Sequence, residues 1–178
     1  MKKRTIIIGL AGVFIIGSLI AIIALRGDKP TTSVSKLEVT LTPADLAKES
    51  QIVLTGRFIS SNVREVFEKD TGEKMIYTDW QVEPQEVWKG TASKKLIVSI
   101  LGGENGNLVV IADTQGGQNL KPGDERLLYL YYRDDLQAYT PLSTMQAIFT
   151  ALPGNIFRDE AGTEYAKTKL TNEIEKVQ

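Results

Sequence analysis

The chain has 178 residues, a net charge of −1 and an apolar fraction of 42%, which suits one globular domain and a short additional segment. It contains no cysteine and no histidine, which excludes disulfides, thiol nucleophiles, cysteine-type zinc sites and a Ser-His-Asp triad. The 22 acidic residues slightly outnumber the 21 basic ones, so the composition does not indicate a nucleic-acid partner.

The N-terminus predicts a membrane segment. Lys2, Lys3 and Arg4 precede residues 5–25, which carry no charge and would span about 31 Å as a helix, close to the ~30 Å core of a bilayer. The basic start favours a cytoplasmic N-terminus with the remaining chain outside. The apolar stretch is longer than a typical signal-peptide core of about 7–15 residues. We therefore interpret residues 1–26 as an uncleaved anchor in the cytoplasmic membrane, and secretion after cleavage is the alternative.

A linker and a short helix are expected next. Residues 27–40 are polar and contain glycine, proline, serine and threonine, which predicts a flexible linker. Thr42 and Asp45 have the spacing of a capping box, and Pro43 suits the first position of a helix. The predicted helix ends at about Ser50.

Residues 75–90 are predicted to be the long strand around which the domain is built. Apolar and polar side chains alternate along it, which is typical of a strand with one buried face, and Trp80 lies on the apolar side. Pro84 has no N–H to donate, and the apolar pattern resumes out of phase at Val87. A β-bulge is therefore predicted near residues 84–86.

The other strands are short and separated by turn residues, which predicts an all-β barrel or sandwich over residues 41–152. Glycine-rich residues 102–106 and 115–119 are predicted loops, and residues 153–178 a polar C-terminal tail with a hairpin at 159–162 and a helix near 171–177. The predicted strands are residues 51–60 continuing through 63–68, residues 94–101, 108–112, 125–132 and 137–141, and residues 144–152 as a last strand or partly helical segment.

Several motifs span about residues 41–149: Ser50-Gln51-Ile52-Val53, Gly56, Tyr77-Thr78-Asp79, Val82, Glu86-Val87-Trp88-Lys89-Gly90, Gly102-Gly103 and Pro122-Gly123-Asp124 with residues 127–130. They resemble the motifs of an uncharacterised β-domain found outside the cytoplasm in many bacterial and archaeal secreted proteins. They resemble more distantly the OB-type barrel of netrin-like domains and tissue inhibitors of metalloproteinases. The resemblance implies a small curled OB-like barrel of about six strands with one short helix. Netrin-like domains are usually tied by disulfides and the inhibitors act through an N-terminal cysteine, so protease inhibition does not carry over.

Four residues are candidates for a ligand or partner surface. Glu104, Asp113 and Asp124 lie in or beside predicted loops, where carboxylates near glycine-rich backbone are the ligands that Ca²⁺ takes. Their spacing does not match a calcium loop, so we interpret them as solvated turn acids and predict neither a metal site nor a cofactor. Trp88, at the end of the long strand, is predicted to be an exposed contact.

These features predict a non-enzymatic module that is displayed outside the cytoplasmic membrane and binds a protein or an envelope component. A domain that binds a small ligand or a cation through the loops at 102–106 and 115–124 is the first alternative. A hydrolase that relies on carboxylates is the second, and it requires two carboxyl groups about 5–5.5 Å apart in a cleft.

Overall fold

The computed structural model describes residues 31–34, 40–68, 72–106, 108–112, 120–143 and 146–177. Strands make up most of this part, in agreement with the predicted all-β class, and the two helices are short. The helices are α1 (Pro43–Glu49) and α2 (Lys167–Glu175). The strands are β1 (Thr31–Val34), β2 (Ile52–Glu68), β3 (Glu73–Lys89), β4 (Leu96–Leu101), β5 (Gly103–Asn105), β6 (Leu108–Ala112), β7 (Glu125–Arg133), β8 (Ala138–Pro141), β9 (Ile148–Leu152), β10 (Ile156–Arg158) and β11 (Glu164–Ala166).

Among the described residues, no helix is long and apolar enough to cross a bilayer. The predicted membrane segment at residues 5–25 lies outside them and stays a prediction. Residues 27–40 were predicted to be a linker, but Thr31–Val34 form β1, which pairs in parallel with β6. The linker prediction was wrong at these four residues. β6 is the central strand of a three-stranded sheet, and β1 supplies the backbone partners along one of its two edges.

Helix α1 forms where it was predicted because its first turn satisfies its own backbone groups. The Asp45 N–H donates to Thr42 Oγ1 at 3.2 Å, and the Thr42 N–H donates to the Asp45 carboxylate at 3.0 Å. This exchange is a complete capping box. At the other end of the helix, Lys89 Nζ donates to the Ala47 carbonyl at 2.7 Å. The last carbonyls of a helix lack partners within it, so this contact also ties α1 to the end of β3.

Strands β2 and β3 form one long hairpin, and each strand has 17 residues. Their register runs from the Val53–Lys89 pair to the Glu68–Glu73 pair. It shifts at three places, and one shift leaves Gln85 without a partner residue in β2. This shift is the predicted bulge. A bulge bends its strand and increases the local twist. The bulge at Gln85 therefore helps the long hairpin to follow the curvature of the sheet.

Gly56 allows the two strands of this hairpin to curve closely against each other. It pairs with Pro84, next to the bulge. A Cβ atom at position 56 would lie 2.5 Å from Val82 Cγ1 and 3.0 Å from Leu54 Cδ1. Both side chains are fully buried, so the space that a larger residue would need is already filled.

Five strands are linked in a ring by their pairings. β2 pairs with β3, β3 with β4, β4 with β8, β8 with β7, and β7 again with β2. The β4–β8 pairing is parallel and the other four are antiparallel. β7 also pairs with β9, which begins the extension β9–β10–β11, so its predicted central place is confirmed. β1, β6 and β5 form a separate three-stranded sheet.

The largest buried cluster lies among the strands of the ring and includes Phe58, Trp80 and Leu128. The rings of Phe58 and Trp80 meet edge to face with their centroids 5.3 Å apart. The predicted core position of Trp80 is therefore confirmed. A second cluster lies between the helices and the sheet, and it joins Leu46 of α1 to Leu170 of α2.

The chain after Pro153 packs against the rest of the domain, so the prediction that the packed part ends there was wrong. A turn leads into the β10–β11 hairpin, which is at the predicted place, and α2 begins at Lys167, earlier than predicted. Phe157, Leu170 and Ile174 are buried in the second cluster. Leu170 and Ile174 are four residues apart and therefore share one face of the helix. The other faces of α2 carry polar residues, which explains why residues 153–178 have the composition of a polar tail.

Residues 102–106 were predicted to be a loop, but Gly103–Asn105 form β5, antiparallel to β6. Gly103 has a φ of +138°, and a Cβ atom there would lie 2.8 Å from Thr78 Oγ1. The Gly102 N–H donates to the Ile76 carbonyl at 2.8 Å. Glycine is required here because the backbone passes unusually close to β3. The glycine-rich composition therefore indicates tight packing at this position and not an open loop.

Candidate functional site

Trp88 is half-buried, and the prediction that it is an exposed contact was wrong. Its ring meets Phe157 edge to face at a centroid separation of 5.3 Å, and Lys167 Nζ lies 5.7 Å from the centroid of the Trp88 ring. Lys167 also forms an ion pair with Glu86 at 2.6 Å, and this contact lowers the pKa of the Glu86 carboxyl. The segment that was predicted to be a tail therefore covers Trp88.

Asp124 stabilises the turn in which it lies, as the interpretation of a turn acid implies. Its carboxylate accepts from Arg126 Nη2 at 2.8 Å and from the Lys121 N–H at 3.1 Å. Its carbonyl accepts from the Phe58 N–H at 2.9 Å. These contacts hold the turn before β7 against the middle of β2.

Glu104 is exposed on β5 and borders a cavity of about 390 Å³, whose walls include Trp80 and Leu120. Asp113 lies outside the described residues. In the part of the chain that the structure describes, no three acidic side chains are grouped so that they could hold a metal ion. Trp88, Glu104 and Asp124 have different neighbours, so the structure does not join them into one site.

A larger groove lies between the residues that lead into α1 and the C-terminal hairpin, at a place where no site was predicted. It has a volume of about 530 Å³, within the ~300–1,000 Å³ typical of ligand pockets. We call it the C-terminal groove. Its apolar lining, which we call the floor, includes Leu41 and Pro43 from one wall and Phe149 and Tyr165 from the other, and its acidic lining, which we call the rim, is Asp159 and Glu160.

The floor of the C-terminal groove is fixed by the core beneath it. Phe149 is buried, and its ring centroid lies 5.7 Å from that of Tyr165 and 5.5 Å from that of Tyr129. On the opposite wall, the Leu41 N–H donates to Gln146 Oε1 at 2.6 Å. Both walls are thus held by contacts within the domain, and the groove is preformed.

The rim of the C-terminal groove is acidic. Asp159 Oδ1 accepts from the Thr163 N–H at 2.8 Å, and Asp159 Oδ2 accepts from the Tyr165 hydroxyl at 3.0 Å. Burial, followed by the hydrogen bond to Asp159, raises the pKa of the Tyr165 phenol, so this hydroxyl remains a donor at neutral pH. A carboxylate has about four acceptor positions, so Asp159 can accept further hydrogen bonds. Among the described residues, the charged side chains that line the groove are the carboxylates of Asp159 and Glu160.

A second group of charged side chains braces the β2–β3 hairpin against the turn that follows β7. The Tyr77 hydroxyl donates to the Glu68 carboxylate, and Arg133 Nη1 donates to the Tyr77 oxygen at 3.1 Å. Arg133 also forms an ion pair with Asp135. Burial and the hydrogen bond to Glu68 raise the pKa of Tyr77 to about 12. The charges are paired within the group, so we assign it a structural role.

Sequence reasoning missed the C-terminal groove because one of its walls belongs to the predicted tail. One signal was available in that segment. The predicted hairpin turn at residues 159–162 places Phe157 opposite Tyr165, as their pairing shows. Two aromatic residues on one face of a hairpin indicate a buried or ligand-facing surface, since a solvated tail gains nothing from them.

No protein-family model matches the chain, and no curated protein matches it.

Proposed function

We propose that this chain is a binding module held at the outer face of the cytoplasmic membrane, and that it recognises a protein or an envelope component through the C-terminal groove. The observation that carries the proposal is the groove itself, about 530 Å³ in volume with a buried aromatic floor and an acidic rim. A preformed apolar depression with a few polar groups at its edge is the usual form of a binding site.

The proposed scaffold is a small closed barrel of the OB type. The ring of pairings through β2, β3, β4, β8 and β7 supports it, because the OB fold is a five-stranded Greek-key barrel. The same ring supports a relationship to the extracytoplasmic and netrin-like domains that the sequence resembles. In this arrangement the barrel provides a rigid body, and the elements outside the ring form the groove.

The proposed location rests on the first 26 residues. Three basic residues followed by residues 5–25, which carry no charge, favour a single membrane span with the domain outside. Mass spectrometry of protein from the membrane fraction tests this proposal. An intact N-terminus supports the anchor, whereas a mature N-terminus near residue 25 indicates that the module is secreted.

Site-specific photo-crosslinking in intact cells tests the binding function. A photo-reactive phenylalanine derivative replaces Thr163, an exposed residue that lines the groove, and the matched control replaces Gln85, which is exposed on β3. We expect a discrete crosslinked product from position 163 and none from position 85. A tryptophan in place of Ala161 should fill the groove and remove the product. Equal crosslinking from both positions, or no effect of Ala161→Trp, would contradict the proposal.

Binding of a small ligand is a second candidate function, and the cavity beside Glu104 favours it. This cavity has a volume of about 390 Å³ and includes Trp80 in its wall. The chain has two tryptophans, so a Trp88→Phe variant makes Trp80 the only tryptophan reporter. A change in its emission on adding millimolar Ca²⁺ would support a cation site there. Unchanged emission and an unchanged Tm would contradict the hypothesis that this cavity binds Ca²⁺.

A further inference from the structure

We propose that the C-terminal groove binds an extended peptide segment of a partner protein in which a lysine or arginine stands next to apolar residues. The inference rests on the binding function proposed above and adds the chemistry of the partner. It follows from two properties of the groove that must be satisfied together: the sign of its charge and the apolar character of its floor.

The charge of the rim selects a cation. Asp159 and Glu160 are the charged side chains that line the groove within the described residues. Asp159 is held in place by Thr163 and Tyr165, so it does not need to reorganise in order to accept a further donor. An ammonium or guanidinium group offers several donors to a carboxylate, and such charge-assisted bonds are stronger than neutral ones.

The floor selects an apolar neighbour for that cation. Tyr165 presents aromatic surface next to the buried ring of Phe149, and Leu41 and Pro43 add aliphatic surface on the other wall. A small inorganic cation would leave this surface uncovered. A lysine or arginine side chain lays its aliphatic stem along apolar surface while its charged head reaches the polar rim. An adjacent leucine, valine or phenylalanine would cover the remaining floor. A peptide segment supplies both groups at a fixed spacing.

Lys169 provides a way to test whether the groove prefers a positively charged peptide. Its ammonium lies 5.3 Å from the ring centroid of Tyr165, on the residue that forms part of the floor. This positive charge lies within one Debye length of the groove, which is about 8 Å at physiological ionic strength, so it opposes the approach of a cation. Removing it should strengthen the binding of a basic peptide, whereas removing the Glu160 charge should weaken it.

The experiment uses the full chain in nanodiscs of uncharged phosphatidylcholine, with empty nanodiscs as the blank. The probes are two fluorescently labelled peptides, acetyl-Leu-Lys-Leu-Lys-Leu-amide and its counterpart with glutamate in place of lysine, followed by fluorescence anisotropy. We expect the lysine peptide to bind at least about fivefold more tightly. Glu160→Gln should weaken its binding about two- to fivefold and Lys169→Gln should tighten it by a similar factor, as expected for partly exposed charges. Both effects should shrink at 0.5 M salt.

An Ala161→Trp variant, which fills the groove, should abolish binding, whereas Gln85→Trp should not change it. Circular dichroism shows whether each variant is folded, and if Glu160→Gln is not, Lys169→Gln still decides the sign. Equal binding of the two peptides, or a shift in the same direction for both charge variants, would overturn the assignment of a cationic partner. Crosslinking from position 163 does not depend on the charge of the partner. If crosslinking occurs but the two peptides bind equally, the groove is a binding site and the assignment of a cationic partner is wrong.

Discussion

Arg64 and Asp79 form an ion pair across the β2–β3 hairpin, with Arg64 Nε 2.6 Å from Asp79 Oδ2. Arg64 Nη2 also donates to the Leu136 carbonyl at 2.8 Å, in the turn between β7 and β8. The Ser99 hydroxyl of β4 donates to the other oxygen of Asp79. One ion pair thus connects the two strands of the hairpin to β4 and to a distant turn.

A double-mutant cycle with Arg64→Met and Asp79→Asn should give a coupling energy of about 1–2 kcal/mol, because the pair is partly buried and shares its network with two further groups. The exposed pair of Lys74 and Glu65, which are 2.7 Å apart on the same hairpin, is the matched control. We expect it to couple by less than about 1 kcal/mol, and less still at high salt. Urea denaturation followed by tryptophan fluorescence measures both cycles. Equal coupling in the two pairs would show that the network adds nothing to a surface ion pair.

The hydroxyl of Tyr77 should make stability fall at alkaline pH. An unfolded tyrosine titrates near pH 10, whereas burial and the hydrogen bond to Glu68 raise the pKa of Tyr77 to about 12. Between these values the unfolded chain loses a proton that the folded chain keeps, so the free energy of unfolding decreases as pH rises from about 10 to about 12.

The Tyr77→Phe variant has no such proton to lose and should show a shallower decline over that interval. Part of the slope should remain, because burial also raises the pKa of Tyr129. Tyr132→Phe, at an exposed position, is the control variant. Urea denaturation at several pH values measures the slopes, and a Tyr77→Phe slope as steep as that of the unmodified chain would contradict the prediction.

Gly56→Ala should destabilise the domain by about 1–3 kcal/mol, because the added methyl group would lie 2.5 Å from Val82 Cγ1 in a filled core. Val82→Ala removes that atom. The cost of Gly56→Ala should therefore be smaller by more than about 0.5 kcal/mol when Val82 is already alanine. Thermal and urea denaturation of the two single variants and the double variant give the coupling. Strict additivity would mean that the clash is relieved by movement of the backbone.

Leu170→Ala should cost about 2–5 kcal/mol of stability, since this side chain of α2 is fully buried in the second cluster. Asn172→Ala, on the exposed side of the same helix, should change stability by no more than about 0.5 kcal/mol. The urea midpoints of the two variants provide the comparison. If the C-terminal segment behaved as a loose tail in solution, the two midpoints would coincide.

The features that sequence reasoning predicted correctly depend on neighbouring residues. The capping box of Thr42 and Asp45 is satisfied within one turn, and the bulge at Gln85 follows from the missing N–H of the adjacent proline. The alternation of apolar and polar residues that predicted a buried Trp80 is likewise a local pattern. In these cases the physical cause lies within a few residues of its effect.

The features that sequence reasoning missed depend on residues that are far apart in the chain. The need for glycine at position 103 arises from Thr78 on another strand, so composition alone resembled that of a loop. The C-terminal groove joins Leu41 to Gln146, which are 105 positions apart. Trp88 was assigned to the surface because its cover, Phe157 and Lys167, comes from a segment with a polar composition. Pairings of this kind are decided by the whole fold.

Leu46 of α1 and Ile174 of α2 belong to the same buried cluster, although nearly the whole domain is synthesised between them. At a synthesis rate of about 5–20 residues per second, Leu170 and Ile174 are made on the order of ten seconds after the first helix. A chain that is stalled during translation before residue 170 therefore lacks both Leu170 and Ile174, and the cluster stays incomplete.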